Sequence, residues 1–171
     1  MGNDADDITP PPGGVPARIV DAEAKDAEAI AALLVASITE LCAADHNDDP
    51  AAVARWTANK TPQTVLGWIA DPGQRVLVGW ESERIVSVGA VAPGEILLNY
   101  VAPEHRFRGH SKAMLKVMEA CLAMIGTDRV RLSSTITARR FYLANGWVED
   151  GAADTVFGLR GIPMTKSLRD A

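Results

Sequence analysis

The chain has 171 residues, 47% of them hydrophobic, with 17 Lys and Arg against 22 Asp and Glu and a formal charge of −5. That is enough apolar material for one packed domain without disulfide or metal staples. The acidic balance weighs against nucleic acid and anionic membrane as partners, because their binding rests on Lys and Arg neutralising phosphates. No apolar run approaches the ~20 residues that span a bilayer, and the acidic start is unlike a signal peptide. Asp6 stands where a myristoylation motif needs Ser or Thr. A cytoplasmic protein without a membrane partner is the expectation.

Residues 1–16, MGNDADDITPPPGGVP, combine acid, proline and glycine with almost nothing to bury, and are expected to form a disordered tail ahead of a single domain, 17–171. ARIVDAE from Ala17 reads as a strand. Asp26 then suits the N-cap of a helix carrying Ile30, Leu33, Leu34, Ile38 and Leu41 on one face. Asp49-Pro50 and Thr61-Pro62 each pair a capping side chain with a first-turn proline, so two short helices are predicted before Asp71-Pro72-Gly73.

Three strands follow, Arg75 to Trp80, Arg84 to Val91 and Glu95 to Ala102. Their short connections predict an antiparallel meander. From Arg108 to Ile125, Met114, Val117, Met118, Cys121, Leu122 and Ile125 keep helical spacing up to Gly126. The strand Arg129 to Ser134 comes next, and a strand–helix–strand order implies parallel pairing. A helix over Thr137 to Asn145, extended WVED, and a last extended stretch around Phe157 to Leu168 complete the pattern. The fold class is α/β (α+β): one mixed, mostly antiparallel sheet of six to seven strands with flanking helices and a central parallel pair. Cys42 and Cys121 share no CxxC or Cys/His spacing, so they read as reduced core thiols and no metal site is expected.

Chemistry concentrates where the long helix begins. Between Glu104 and Lys116, four cations (Arg106, Arg108, Lys112, Lys116) face one acid, a local +3 that leaves −8 for the remainder. The free N–H groups of a helix start attract anions, and Gly109 lets backbone approach a ligand closely. Taken alone, the lysines equally suit the solvated face of an amphipathic helix.

The segment VAPEHRFRGHSKAMLKVMEACL resembles the acetyl-coenzyme A motif of the GNAT superfamily of N-acetyltransferases, with Arg106, Gly109 and Ser111 at its marked positions. Phe107 and Ser111 stand where many members have glycine. TITARRFYLANGW resembles a second family segment through Thr135, Ala138, Phe141, Tyr142, Gly146 and Trp147. The resemblance implies acetyl-coenzyme A as co-substrate in an opening between the parallel strands, which splay apart to admit it. It places Tyr100 and Val101 along the pantetheine, Arg106, Arg108, Gly109, His110, Ser111, Lys112 and Ala113 about the pyrophosphate, and Thr135 and Phe141 beside the arm. Tyr142 would be the general acid at the leaving thiolate, and Glu95, or a water chain in its stead, the base.

The implied activity is acetyl transfer to a primary amine of a small molecule or peptide, by direct attack in a ternary complex. The alternative from a different class is a non-catalytic acyl-coenzyme A sensor. Family members often dimerise, so a homodimer is admitted. The acidic run Asp45 to Pro50 is open to two readings, an attractor of a cationic acceptor or a solvated run of helix caps. His46, His105 and His110 read as surface or turn residues rather than bases. Trp56 and Trp68 read as core.

Overall fold

The computed structural model describes residues 18–156 and 158–169. The expected tail, Ala17 and Phe157 lie outside the described residues. The chain runs β1 (Arg18–Asp21), a 3-10 turn (Ala24–Asp26), α1 (Ala27–Leu41), α2 (Ala43–His46), α3 (Pro50–Thr57) and α4 (Pro62–Ala70). The meander is β2 (Arg75–Glu81), β3 (Arg84–Ala92) and β4 (Glu95–Val101). After a second 3-10 turn (Pro103–His105) come α5 (His110–Met124), β5 (Arg129–Ser134), α6 (Arg139–Ala144), β6 (Val148–Glu149), β7 (Asp154–Val156) and β8 (Leu159–Ser167).

The two Asx/Thr-Pro signals act as caps. The Asp49 side chain accepts from the Ala51 N–H and Thr61 from the Thr64 N–H, each ahead of a proline in the first turn. Asp26 precedes α1, but its carboxylate turns back to accept from the Glu23 N–H at 2.8 Å and so secures the preceding 3-10 turn instead.

The sheet order is β1-β2-β3-β4-β5-β8-β6, with β7 also on β8. It has eight strands rather than six or seven, because Asp154–Val156, ahead of the last extended stretch, adds β7, which pairs with β8. All pairings are antiparallel except β4 with β5. On one face, α1 and α4 bring Ile30, Leu34 and Val65 against Val76, Val78 and Val88. On the other, α5 buries Met114, Leu115, Met118 and Leu122 against Leu77, Ile96, Val130 and Leu132. Each such side chain contributes about 1.5–3 kcal/mol by leaving water. Gly89 in β3 sets how near α5 comes, since a Cβ there would lie 2.7 Å from the Met114 sulfur and 2.8 Å from that of Met118.

One irregularity shapes the functional end. Consecutive residues Ala90 and Val91 of β3 pair with Leu98 and Ile96, so Leu97 is an extra residue in β4. Such a bulge bends its strand and increases the local twist. It also shifts the phase of the side chains: Ile96 packs in the α5 core, whereas Leu98 and Tyr100 pack on the α1 side. Before it, at the start of β4, β4 and β5 share a single registered pair, Glu95 with Arg131, and none follows the bulge. The two strands part from there toward their C-terminal ends.

Candidate active site

The parting of β4 and β5 forms a cleft of about 460 Å³, lined by Ile96 and Leu132 and by residues of α1, the start of α5 and α6. On its β5-facing side the second half of β4 makes no ladder bonds, so its backbone donors and acceptors are available to a ligand. Tyr100 and Val101 lie on this edge and line the cleft. Burial pushes the Tyr100 phenol well up, against a hydrogen bond from the Trp56 indole that pulls it down. Its ring rests against the Ile38, Cys42 and Trp56 cluster.

The start of α5 leaves free amides at the cleft. The helix was expected from Arg108 and starts at His110, because Gly109, with φ +86°, is in the left-handed region and ends helix propagation there. Ala113 donates to the Gly109 carbonyl at 3.0 Å, the first helical bond. The amides of His110, Ser111 and Lys112 precede it and have no intrahelical acceptor. Ala113 therefore has its N–H committed within the helix and does not line the cleft, whereas Arg106, Gly109, His110, Ser111 and Lys112 do. A Cβ built on Gly109 meets nothing within 4 Å, so the space before these amides is open.

Arg108 points elsewhere, toward Glu81 at 3.6 Å. Glu81 also holds His105 at 2.9 Å and lies 3.9 Å from His110. His110 is fully buried, not a surface residue, and burial lowers its imidazole below the usual range. Phe107 adopts φ +61°, a conformation that costs a side-chain-bearing residue about 1–2 kcal/mol and that glycine would take freely.

At the other end, Tyr142 on α6 is 6% exposed, and its ring is edge-on to Phe141 and Trp147 at centroid distances of 5.1 and 5.7 Å. Burial pushes its phenol up to about 12, opposed by a hydrogen bond from Asn99. Asn99 also reaches the Ser111 carbonyl at 3.4 Å, and its own carbonyl oxygen is buried without a partner. It thus links the α5 start to Tyr142 across the cleft. The sequence reading missed Asn99: it follows two leucines in an apolar strand, and only the bulge turns it inward.

Thr135 and Phe141 line the cleft as well. The Thr135 hydroxyl accepts from the Ala138 N–H and so caps the turn into α6. That helix begins at Arg139 rather than Thr137, because Asp45 takes the amides ahead of it. Its carboxylate accepts from Ile136 N–H at 2.6 Å, Thr137 N–H at 3.1 Å and the Thr137 hydroxyl at 2.5 Å. With Asp49 capping α3, the acidic run serves structure at both residues. His46, expected at the surface, is buried between the Ile38 carbonyl and the Asp48 N–H. Trp56 is core as expected.

Glu95 stands at the closed end of the parting strands, paired with Arg131 at 3.0 Å, and is not among the residues that line the cleft. Among the described residues no group of three or more metal-binding side chains gathers, and no helix is long and apolar enough to cross a membrane.

A mixed sheet opened at its one parallel pair carries the unpaired amides of a helix start on one side of the cleft and a buried phenol on the other. The acetyltransferase (GNAT) domain model matches residues 42–168, and the chain belongs to this family of acyltransferases.

Solved structures agree in fold. A GCN5-related N-acetyltransferase (aminotransferase, class II) from Rhodopseudomonas palustris superposes with a TM-score of 0.80 at 23% identity, over 90% of this chain and 96% of that one. The PaiA N-acetyltransferase of Thermoplasma acidophilum, in complex with coenzyme A, gives 0.75 at 17% over 88% and 98%. An aminoglycoside 6'-N-acetyltransferase complexed with coenzyme A gives 0.66 at 11% over 90% and 98%. None of the curated protein sequences matches this chain.

Proposed function

We propose that the protein transfers the acetyl group of acetyl-coenzyme A to a primary amine held in the same cleft, by direct attack. The residues fit the coenzyme: the amides of His110 to Lys112 suit its pyrophosphate, the unpaired edge of β4 suits the amides of its arm, and the open space before Gly109 admits it. When bound, the coenzyme supplies the activated thioester carbonyl and a thiolate leaving group. Relatives of the same fold have been solved with coenzyme A.

The observation that carries the reading is the buried Tyr142, which lines the same cleft as the α5 start and the β4 edge. A phenol held near 12 stays protonated at neutral pH and can give its proton to a departing thiolate. Asn99, by donating to the phenol oxygen, favours the phenolate that this transfer leaves behind. An alkylammonium of pKa about 10.4 is free base in only about one part in a few thousand at pH 7, so a proton must also leave the acceptor. We assign that proton to water at the cleft mouth, because Glu95 is ion-paired away from the lining.

The test is Tyr142→Phe, which keeps the ring. The turnover rate should fall about a hundredfold while coenzyme A affinity by calorimetry stays within about twofold; an unaltered rate would remove Tyr142 from the mechanism. Thiol release measured across a broad amine panel separates the enzyme from a coenzyme sensor, which would bind and never turn over.

A further inference from the structure

The segment that carries the anion site also carries an aromatic ring that the fold does not use. Phe107 is 90% exposed, the most exposed of the large hydrophobic residues described, yet it lines the cleft. Its backbone is left-handed, a conformation that disfavours a bulky residue, and folding recovers no apolar burial from the ring in exchange. The Arg106 guanidinium stacks on the ring 4.4 Å from its centroid, which steadies the side chain while most of the ring stays in water. The free amides of the α5 start follow within the same loop.

An aromatic face beside a diphosphate-binding turn, backed by a cation, has the chemistry of a purine platform. We propose that Phe107 stacks on the adenine base at the nucleotide end of the coenzyme, and that this chain thereby grips that end of its co-substrate through a side chain rather than through the loop backbone alone. The inference rests on the coenzyme A reading above. It assigns a ligand contact to the residue that departs from glycine in the loop, and gives the strain at Phe107 a function.

The test compares coenzyme A with 4'-phosphopantetheine, which has the same arm and no nucleotide, by calorimetry on the wild type, Phe107→Asn and Phe107→Trp. Asparagine tolerates the left-handed region, so the loop is retained without the ring, and its melting temperature should equal or exceed that of the wild type. Base–aromatic stacking predicts about tenfold weaker coenzyme A binding for Phe107→Asn, no change for 4'-phosphopantetheine, and full affinity for Phe107→Trp. The KM for acetyl-coenzyme A should rise with kcat unchanged. Coenzyme A affinity within twofold of wild type in Phe107→Asn, or an equal loss with both ligands, would overturn the proposal while leaving the coenzyme reading intact. A wild type that binds no coenzyme A would sink both.

Discussion

β5 treats its two neighbours in opposite ways. With β8 it pairs antiparallel over six residue pairs, from Arg129–Ser167 to Ser134–Ile162. With β4 it makes one, Glu95–Arg131, and then leaves that neighbour. The zipped side holds the strand in the sheet, and the open side forms the cleft. Withheld pairing is affordable there because β4 is already secured along its other edge by β3 and α5 packs beneath both. The general lesson is that a sheet can expose strand backbone to a ligand without creating a free edge for aggregation, provided the gap is internal and one residue wide in origin.

Deleting Leu97 attacks this difference most directly. The extra residue disappears, and either Ile96 or the run Asn99 to Tyr100 must then face the wrong side of the sheet. We expect more than a hundredfold loss of coenzyme A binding by calorimetry and a lower melting temperature; undiminished affinity would show that the bulge does not open the cleft. A smaller effect should follow Asn99→Ala, which spares the strand but removes the donor that eases the Tyr142 phenol toward phenolate. Its kcat should fall about tenfold with little change in KM, and a fall in affinity without one in kcat would make Asn99 structural. The smallest belongs to Glu95→Gln at the closed end. Its partner Arg131 is exposed, so the pair contributes about 1 kcal/mol or less, and kcat/KM should stay within about twofold. A hundredfold drop there would restore Glu95 as the base.

The sequence foretold β5, α6, β6 and β8 on the zipped side and the order of the main elements on both, though not β7 or α2, since hydrophobic periodicity and turn signals are local. It also marked Gly109 as a place where backbone can approach a ligand, but not that its left-handed φ moves the helix start to His110. What it did not disclose depends on contacts between distant segments. Asp45 shortens α6 from 91 positions away by taking the Ile136 N–H, and no spacing rule announces that. The phase shift at Leu97 turns Asn99 inward although Leu97-Leu98-Asn99-Tyr100 reads as plain alternation. Arg108 was expected at the pyrophosphate beside Arg106, and the fold places it 3.6 Å from Glu81 of the β2–β3 hairpin, outside the cleft lining. The folded chain decides which of several similar residues face the cleft.

The claim at the centre of this account is that ligand occupies the gap between β4 and β5. Amide hydrogen exchange followed with and without saturating coenzyme A tests it most directly. The account predicts slower exchange in peptides covering Leu98 to Val101 and His110 to Lys112, with little change along the zipped β5–β8 pair. Protection confined to other segments, or none at saturation, would contradict it.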